Sequence, residues 1–204
     1  KAFYMAKMES RPVMLSAPMD IQQKTFENGD EAYKPSSTLI PPRAVRPDPD
    51  ALRQAADIVA GSKHPVILVG RGARWSGAGE AVLRLAKRTG ALIATTLLAK
   101  TWLSEDDYHA GLSGTYGTRT AMKLVEAADC VVAIGASMNR YTIEHGYLYP
   151  NARYVQIDSK PHVVMAGGRS ADCYIQADAK AGVEGLDKLL EERSFKNVGY
   201  RTPD

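Results

Sequence analysis

Residues 65–72 read Pro65-Val66-Ile67-Leu68-Val69-Gly70-Arg71-Gly72, four branched aliphatic residues followed by two glycines around an arginine. A strand with one wet face alternates apolar and polar side chains; this run does not alternate, which predicts a strand covered on both faces. Glycines directly behind such a strand either allow a sharp turn or let a ligand approach the backbone. Working outward, the same kind of run recurs. Ala91 to Thr95 and Cys130 to Gly135 predict two further buried strands, and Tyr154 to Asp158 and Cys173 to Ala177 two more.

Helical spacing fills the intervals. Asp48 and Asp50 are placed to cap a helix whose Leu52, Ala55, Ala56 and Val59 form one stripe, with Gly61 as its stop. A second helix is expected over about Ala78 to Thr89, with Val82, Leu85 and Ala86 inward and Gly90 ending it. A third carries Ala121, Leu124, Val125 and Ala128, and Val183, Leu186 and Leu190 mark a closing helix. Buried strands separated by helices and short glycine-bearing loops specify an α/β fold, a parallel sheet with helices on both faces. The chain ahead of Asp48 is different, because seven of the eleven prolines fall between Pro12 and Pro49. It holds one strand candidate, Pro12 to Ala17. From Gln22 to Asp48 the sequence is polar, and Pro35, Pro41, Pro42 and Pro47 deny the donors that a helix or central strand needs, so this stretch reads as an extended linker.

The 204 residues carry 26 Lys+Arg against 23 Asp+Glu, a net +3, with 45% of the AVILMFWYC set, enough for one sizeable core. The basic residues are scattered rather than clustered, which argues against a nucleic-acid partner, and the apolar runs are too short to cross a bilayer. Cys130 and Cys173 sit in apolar stretches without the paired spacing of a zinc or redox site. They read as buried thiols of a cytoplasmic protein in a reducing compartment. No charged-then-apolar leader opens the sequence, and its first residue, Lys1, leads us to expect a piece of something longer.

In parallel sheets, ligands gather beyond the carboxyl ends of the strands. Those ends carry Gly70-Arg71-Gly72, Thr95-Thr96, the run from Gly135 to Asn139, Asp158 and Asp178. Trp75 stands where a dinucleotide fingerprint has its third glycine, no acidic residue closes the second strand, and no Gly-Lys-Ser/Thr occurs. Gly70 and Gly72 therefore either admit a phosphate or only permit a tight turn; under the first reading Gly72→Val would block the phosphate and leave the fold intact. The second cluster, Gly111 to Thr118, precedes a helix, so it either holds a diphosphate or is a turn capped by Thr118. Asp158 and Asp178 suit a ribose or a cap on the following turn. His64, His109, His145 and His162 lie scattered in predicted loops, and Glu105-Asp106-Asp107 reads as a solvated acidic run. No catalytic residue and no metal ligand emerges.

Six stretches taken in order are Arg11 to Gln22, His64 to Gly72, Ala94 to Leu98, Gly114 to Gly117, Ala128 to Gly135 and Val155 to Asp158. Together they resemble the central domain of thiamine-diphosphate-dependent enzymes, the acetolactate synthase group above all. The resemblance implies a Rossmann-like domain of the DHS-like NAD/FAD-binding type inside a three-domain parent. Residues 1–22 would be the tail of the pyrimidine-binding domain, its last helix and strand, 23–47 a linker, 48–193 the central domain, and 194–204 the start of a linker to the diphosphate-binding domain. The family's activating glutamate and its Gly-Asp-Gly and paired-asparagine magnesium site belong to the other two domains; here Gly29-Asp30 is followed by Glu31 and no Asn-Asn occurs. Thiamine diphosphate and Mg2+ are implied for the parent, bound outside this segment.

For the segment itself the resemblance implies FAD, ADP or no ligand. The matching positions are Gly70, Arg71, Gly72, Thr96, Leu97, Gly114, Thr115, Tyr116, Gly117, Gly135, Ser137, Asn139, Asp158 and Asp178. Flavin-binding members carry an arginine two residues after the glycine and an acidic pair soon after, where this chain has Ser137, Met138, Asn139 and Arg140. The implied partners are the other two domains and a homodimer or homotetramer. Two functions stay open: the silent middle domain of an enzyme making or breaking carbon–carbon bonds of 2-oxo acids, or a standalone adenine-nucleotide-binding module.

Overall fold

The structure, a computed structural model, describes residues 1–9, 11–25, 35, 38, 44–160, 165 and 167–202. The chain forms two units, Lys1–Arg43 and Ala44–Asp204. In the first, helices α1 (Ala2–Glu9) and α2 (Met19–Gln22) are joined by irregular chain. The strand expected over Pro12 to Ala17 is not formed: Met14 and Leu15 are 93% and 80% exposed, so nothing rewards extending and pairing this segment. Most of the expected linker, with Pro41 and Pro42, lies outside the described residues.

The second unit opens with α3 (Pro49–Ala60). One carboxylate oxygen of Asp48 accepts from the amides of Asp50 and Ala51, both at 2.9 Å, Pro49 takes the first helical position where no donor is needed, and Gly61 ends the helix. There follow β1 (Pro65–Val69), α4 (Arg71–Trp75), α5 (Gly79–Thr89), β2 (Leu92–Thr95), β3 (His109–Leu112), α6 (Arg119–Glu126), β4 (Cys130–Ile134), β5 (Arg153–Asp158), β6 (Cys173–Gln176) and α7 (Ala179–Glu192). All six strands are parallel, in the order β3-β2-β1-β4-β5-β6, with Val69 opposite Thr95 on one side and Ile134 on the other.

Because strand side chains alternate, each strand feeds two cores. Ile67, Val69, Ile93, Val132, Ile134, Val155, Ile157 and Ile175 meet α3, α5 and α7 through Ala56, Val59, Val82, Leu85, Val183 and Leu186. Arg88 on α5 and the buried Asp187 on α7 tie two of these helices together at 2.7 Å, and that partner raises the guanidinium's proton affinity. On the opposite face Val66, Leu68, Val131, Ala133 and Tyr154 meet, among the described residues, one α-helix, α6, through Val125; the rest of the described cover is the largely irregular chain bearing Met138, Ile143, Leu148 and Tyr149. Tyr149 and Tyr154 pack edge to face at 6.2 Å.

Four expectations need correction. The third helix does not bury Leu124, which is 44% exposed while Ala121 and Val125 turn inward. Between the first two strands the chain makes a short helix, α4, where only a glycine loop is expected. Gly111 and Leu112, read with the second glycine cluster, belong instead to an edge strand, β3, where a register irregularity accompanies Gly111 at φ +95°. The acidic run is not wholly solvated either. Asp106 is 93% buried at its side chain, since 7% remains exposed, and it holds Arg201 through two bonds of 2.8 and 3.1 Å.

Candidate functional site

β1 and β4 lie side by side at the centre, and their onward connections run to opposite edges of the sheet, so the crevice of this topology belongs between their carboxyl ends. The loops there are in backbone contact. Gly70 donates to Ile134 O at 2.9 Å, Gly72 to Gly135 O at 3.0 Å, and Gly135 to Ile157 O at 2.8 Å. A Cβ on Gly70 would stand 2.2 Å from Gly135 O, one on Gly72 2.9 Å from Gly135 Cα, and one on Gly135, at φ +54°, 2.3 Å from the Ala73 nitrogen. The three glycines are thus required by one another. The expectation that Gly72→Val leaves the fold intact is corrected: a branched side chain there meets backbone that has no room to yield.

The neighbouring strand ends are knit in the same way. Thr96 is buried and donates its amide to Val69 O at 2.9 Å, while Leu97 and Leu98 beyond it are 46% and 61% exposed. Thr115 donates to Tyr141 O at 2.9 Å and Gly117 to Gly114 O at 2.7 Å; Gly114, at φ +87°, lies so close to Tyr141 O that a Cβ would overlap it. Thr118 caps α6, its hydroxyl accepting from the Ala121 amide at 3.1 Å. Asn139 folds its own turn: its carbonyl oxygen accepts from the amides of Tyr141 and Thr142, and its amide group donates to Ser137 Oγ at 2.9 Å. Asp158 accepts from the Lys160 amide and Asp178 from the Ala181 amide, both at 3.1 Å, so both carboxylates serve as caps.

Beneath these loops lies a buried polar knot that sequence reading missed. Ser113 Oγ donates to Thr142 O at 2.8 Å; its single proton being used, the Tyr149 hydroxyl, also at 2.8 Å, donates to Ser113. Complete burial pushes the Tyr149 phenol well up, so it stays protonated in this role. Gln156, buried on β5, donates to Ala136 O at 3.3 Å and supports the β4 loop from below. Nothing in the local sequence signals either contact, since both join residues far apart in the chain.

Exposed side chains also stand at this edge. Arg71 is exposed, stacks on Trp75 at 4.4 Å, and pairs with no carboxylate among the described residues. Tyr116 and Tyr141 are exposed with ring centroids 6.4 Å apart, and the Arg140 guanidinium lies 4.6 Å over Tyr141. His64 and His145 are exposed and His109 is half-buried on β3; His162 lies outside the described residues. Cys130 and Cys173 are buried, and burial pushes the Cys130 thiol up to about 12, which makes it a poor nucleophile. Among the described residues no three His, Cys, Asp or Glu side chains are grouped to hold a metal ion, and no helix is long and apolar enough to cross a membrane.

Residues 52–186 match the family described as "Thiamine pyrophosphate enzyme, central domain". The chain is 35% identical over 192 residues to the probable acetolactate synthase large subunit of Methanocaldococcus jannaschii, covering 91% of this chain and 32% of that protein. It is 29% identical over 192 residues to the 3D-(3,5/4)-trihydroxycyclohexane-1,2-dione hydrolase of Clostridium botulinum, covering 92% of this chain and 29% of that one. Its fold resembles that of benzoylformate decarboxylase from Polynucleobacter necessarius, with a TM-score of 0.67 at 24% identity, over 90% of this chain and 34% of the other. The chain thus spans about a third of the length of these proteins, and the match falls across the whole six-stranded unit described above: the chain belongs to the family of thiamine pyrophosphate enzyme central domains.

Proposed function

We propose that this chain is the middle segment of a thiamine-diphosphate enzyme that makes or breaks a carbon–carbon bond of a 2-oxo acid, and that its own part is structural. The family membership and the acetolactate synthase relatives support the first half. The mutual contact of Gly70, Gly72 and Gly135 supports the second, because the amides of these three glycines are bonded within the fold rather than turned to a ligand. The donor set here does not suit a magnesium-bound diphosphate, having no carboxylate group of the required size among the described residues. In this reading thiamine diphosphate and magnesium are held by the two flanking domains of a homodimeric or homotetrameric parent, where the cofactor stabilises negative charge on the substrate carbon. With both supplied, the whole protein is expected to consume pyruvate and residues 1–204 alone to leave it untouched; turnover by the segment alone would overturn the structural role.

A second reading, binding of FAD or ADP at the strand ends, is favoured by the exposed Arg71, which pairs with no carboxylate among the described residues, and by the Tyr116–Tyr141 pair beside Arg140. Arg71 would face the diphosphate, with Gly70, Gly72, Thr96, Leu97, Gly114, Thr115, Gly117, Gly135, Ser137, Asn139, Asp158 and Asp178 forming the supporting edge. Calorimetric titration with FAD and ADP decides it. Binding that Arg71→Ala weakens at least tenfold supports the site, and no heat with either ligand leaves the structural role alone.

A further inference from the structure

The segment from Asn197 to Thr202, here called the C-terminal tail, crosses the sheet at the ends where the strands begin and is attached there by several contacts. The Asn197 amide donates to Arg88 O and that of Tyr200 to Gly90 O, at 2.9 and 2.8 Å. Gly90 is at φ +69°, and a Cβ there would stand 2.2 Å from Val198 O. Arg201 uses every side of its guanidinium: Nε donates to Ala91 O at 2.9 Å, Nη1 and Nη2 grip Asp106, and the plane lies 4.8 Å over Tyr108, whose hydroxyl donates to Thr202 O at 2.7 Å. Arg201 and Asp106 retain 11% and 7% side-chain exposure. A forked, buried pair of this kind fixes geometry as well as position.

Asp106 is the far end of the excursion between β2 and β3, whose near end is Thr96, Leu97 and Leu98 at the candidate site. Successive turns span it: Ala99 donates to Thr96 O at 2.9 Å, Trp102 to Ala99 O at 3.1 Å, Asp106 to Leu103 O at 3.2 Å, and His109 to Asp106 O at 3.0 Å. Thr101 and Leu103 are held at φ +66° and +63°, a conformation that a β-branched or bulky residue adopts only under constraint. Trp102 and Leu103 rest on the first turn of α5, within 3.5 Å of where a Gly79 side chain would begin. The excursion is therefore a strained coil pinned at its middle by Trp102 and at its end by Arg201.

We propose that the Arg201–Asp106 clamp is a conformational control on the strand-end segment Thr96–Leu103, so that displacing the C-terminal tail releases Leu97 and Leu98 at the opposite end of the sheet. The control does not depend on the function proposed above, and its test needs no ligand. Amide hydrogen exchange on the whole chain compares Arg201→Gln with the unsubstituted protein. Peptides covering 97–104 exchange at least tenfold faster in the variant, while those covering β4 and β5 stay within twofold, and adding Asp106→Asn to Arg201→Gln produces no further change. An unchanged rate at 97–104 overturns the proposal, as does an equal acceleration through every strand. Should Arg201→Gln not fold, Arg201→Lys, which keeps the charge but loses the fork, is read in a Trp75→Phe background. Trp102 is then the sole tryptophan, the chain having two. At least a twofold rise in its acrylamide quenching supports the clamp, and unchanged quenching overturns it.

Discussion

Among the described residues, one face of the sheet is covered mainly by α3, α5 and α7 and the other by one α-helix and a long irregular chain, and the two solve the same burial problem with different residues. Under α3, α5 and α7 the buried apolar side chains are all Ala, Val, Ile, Leu or Cys, many small contributions laid out at helical spacing. The loop-covered face concentrates its burial in a few large groups, Met138, Ile143, Tyr149 and Tyr154. An irregular chain cannot present a periodic stripe, so large side chains such as Met138, Ile143 and Tyr149 fill the volume between small inward residues such as Ala136 and Ala152. A large side chain with a polar tip then needs a partner for that tip, which is what Ser113 supplies to Tyr149.

Stability should divide accordingly. Tyr149→Ala is expected to cost about 4 kcal/mol, since it empties a large volume and leaves Ser113 without its donor; Val183→Ala on the helical face should cost about 1.5 kcal/mol. Chemical denaturation midpoints measure both, and equal losses would erase the distinction between the faces. Gly72→Val, at the edge where the two covers meet, should cost about 3 kcal/mol through overpacking against Gly135. Retained stability there would mean that the loops can separate and a crevice can open. On the helical face the largest single polar effect should come from Asp187→Ala, about 2 kcal/mol, because Arg88 loses the partner it meets at 2.7 Å. A loss under about 0.5 kcal/mol would show that aliphatic packing alone joins α5 to α7.

The smallest effect concerns β3, at the sheet edge. Burial lowers the His109 proton affinity, partly opposed by Asp106, so the fold favours the neutral ring. A folded-state value below the unfolded one means that stability present at neutral pH is lost as pH falls through about 6.5 toward the folded value. The melting temperature of His109→Gln should therefore fall less steeply with acid than that of the parent; identical slopes would assign the acid sensitivity elsewhere.

The helical face was nearly all legible. Asp48, Gly61, Gly90 and the β-branched runs act through local chemistry, capping, left-handed turns and two-sided burial, which sequence displays directly. β3 was not, because His109-Ala110-Gly111-Leu112 has no β-branched residue and lies half-buried at an edge. Gly70 lies at the end of β1 as expected, but the partner was not visible: Gly70 and Gly72 meet Gly135, more than sixty residues away, so spacing within either segment could not reveal the contact. Asp106 misled for the same reason, its counter-ion Arg201 lying at the far end of the chain.

The interlock of Gly70, Gly72 and Gly135 has a practical corollary for anyone redesigning this scaffold. Two remote segments share one van der Waals envelope, so neither can be transplanted, lengthened or diversified in a library by itself. A donor loop bearing a side chain at any of the three positions would be rejected unless its counterpart were exchanged in the same step, which makes the pair a single cassette for engineering.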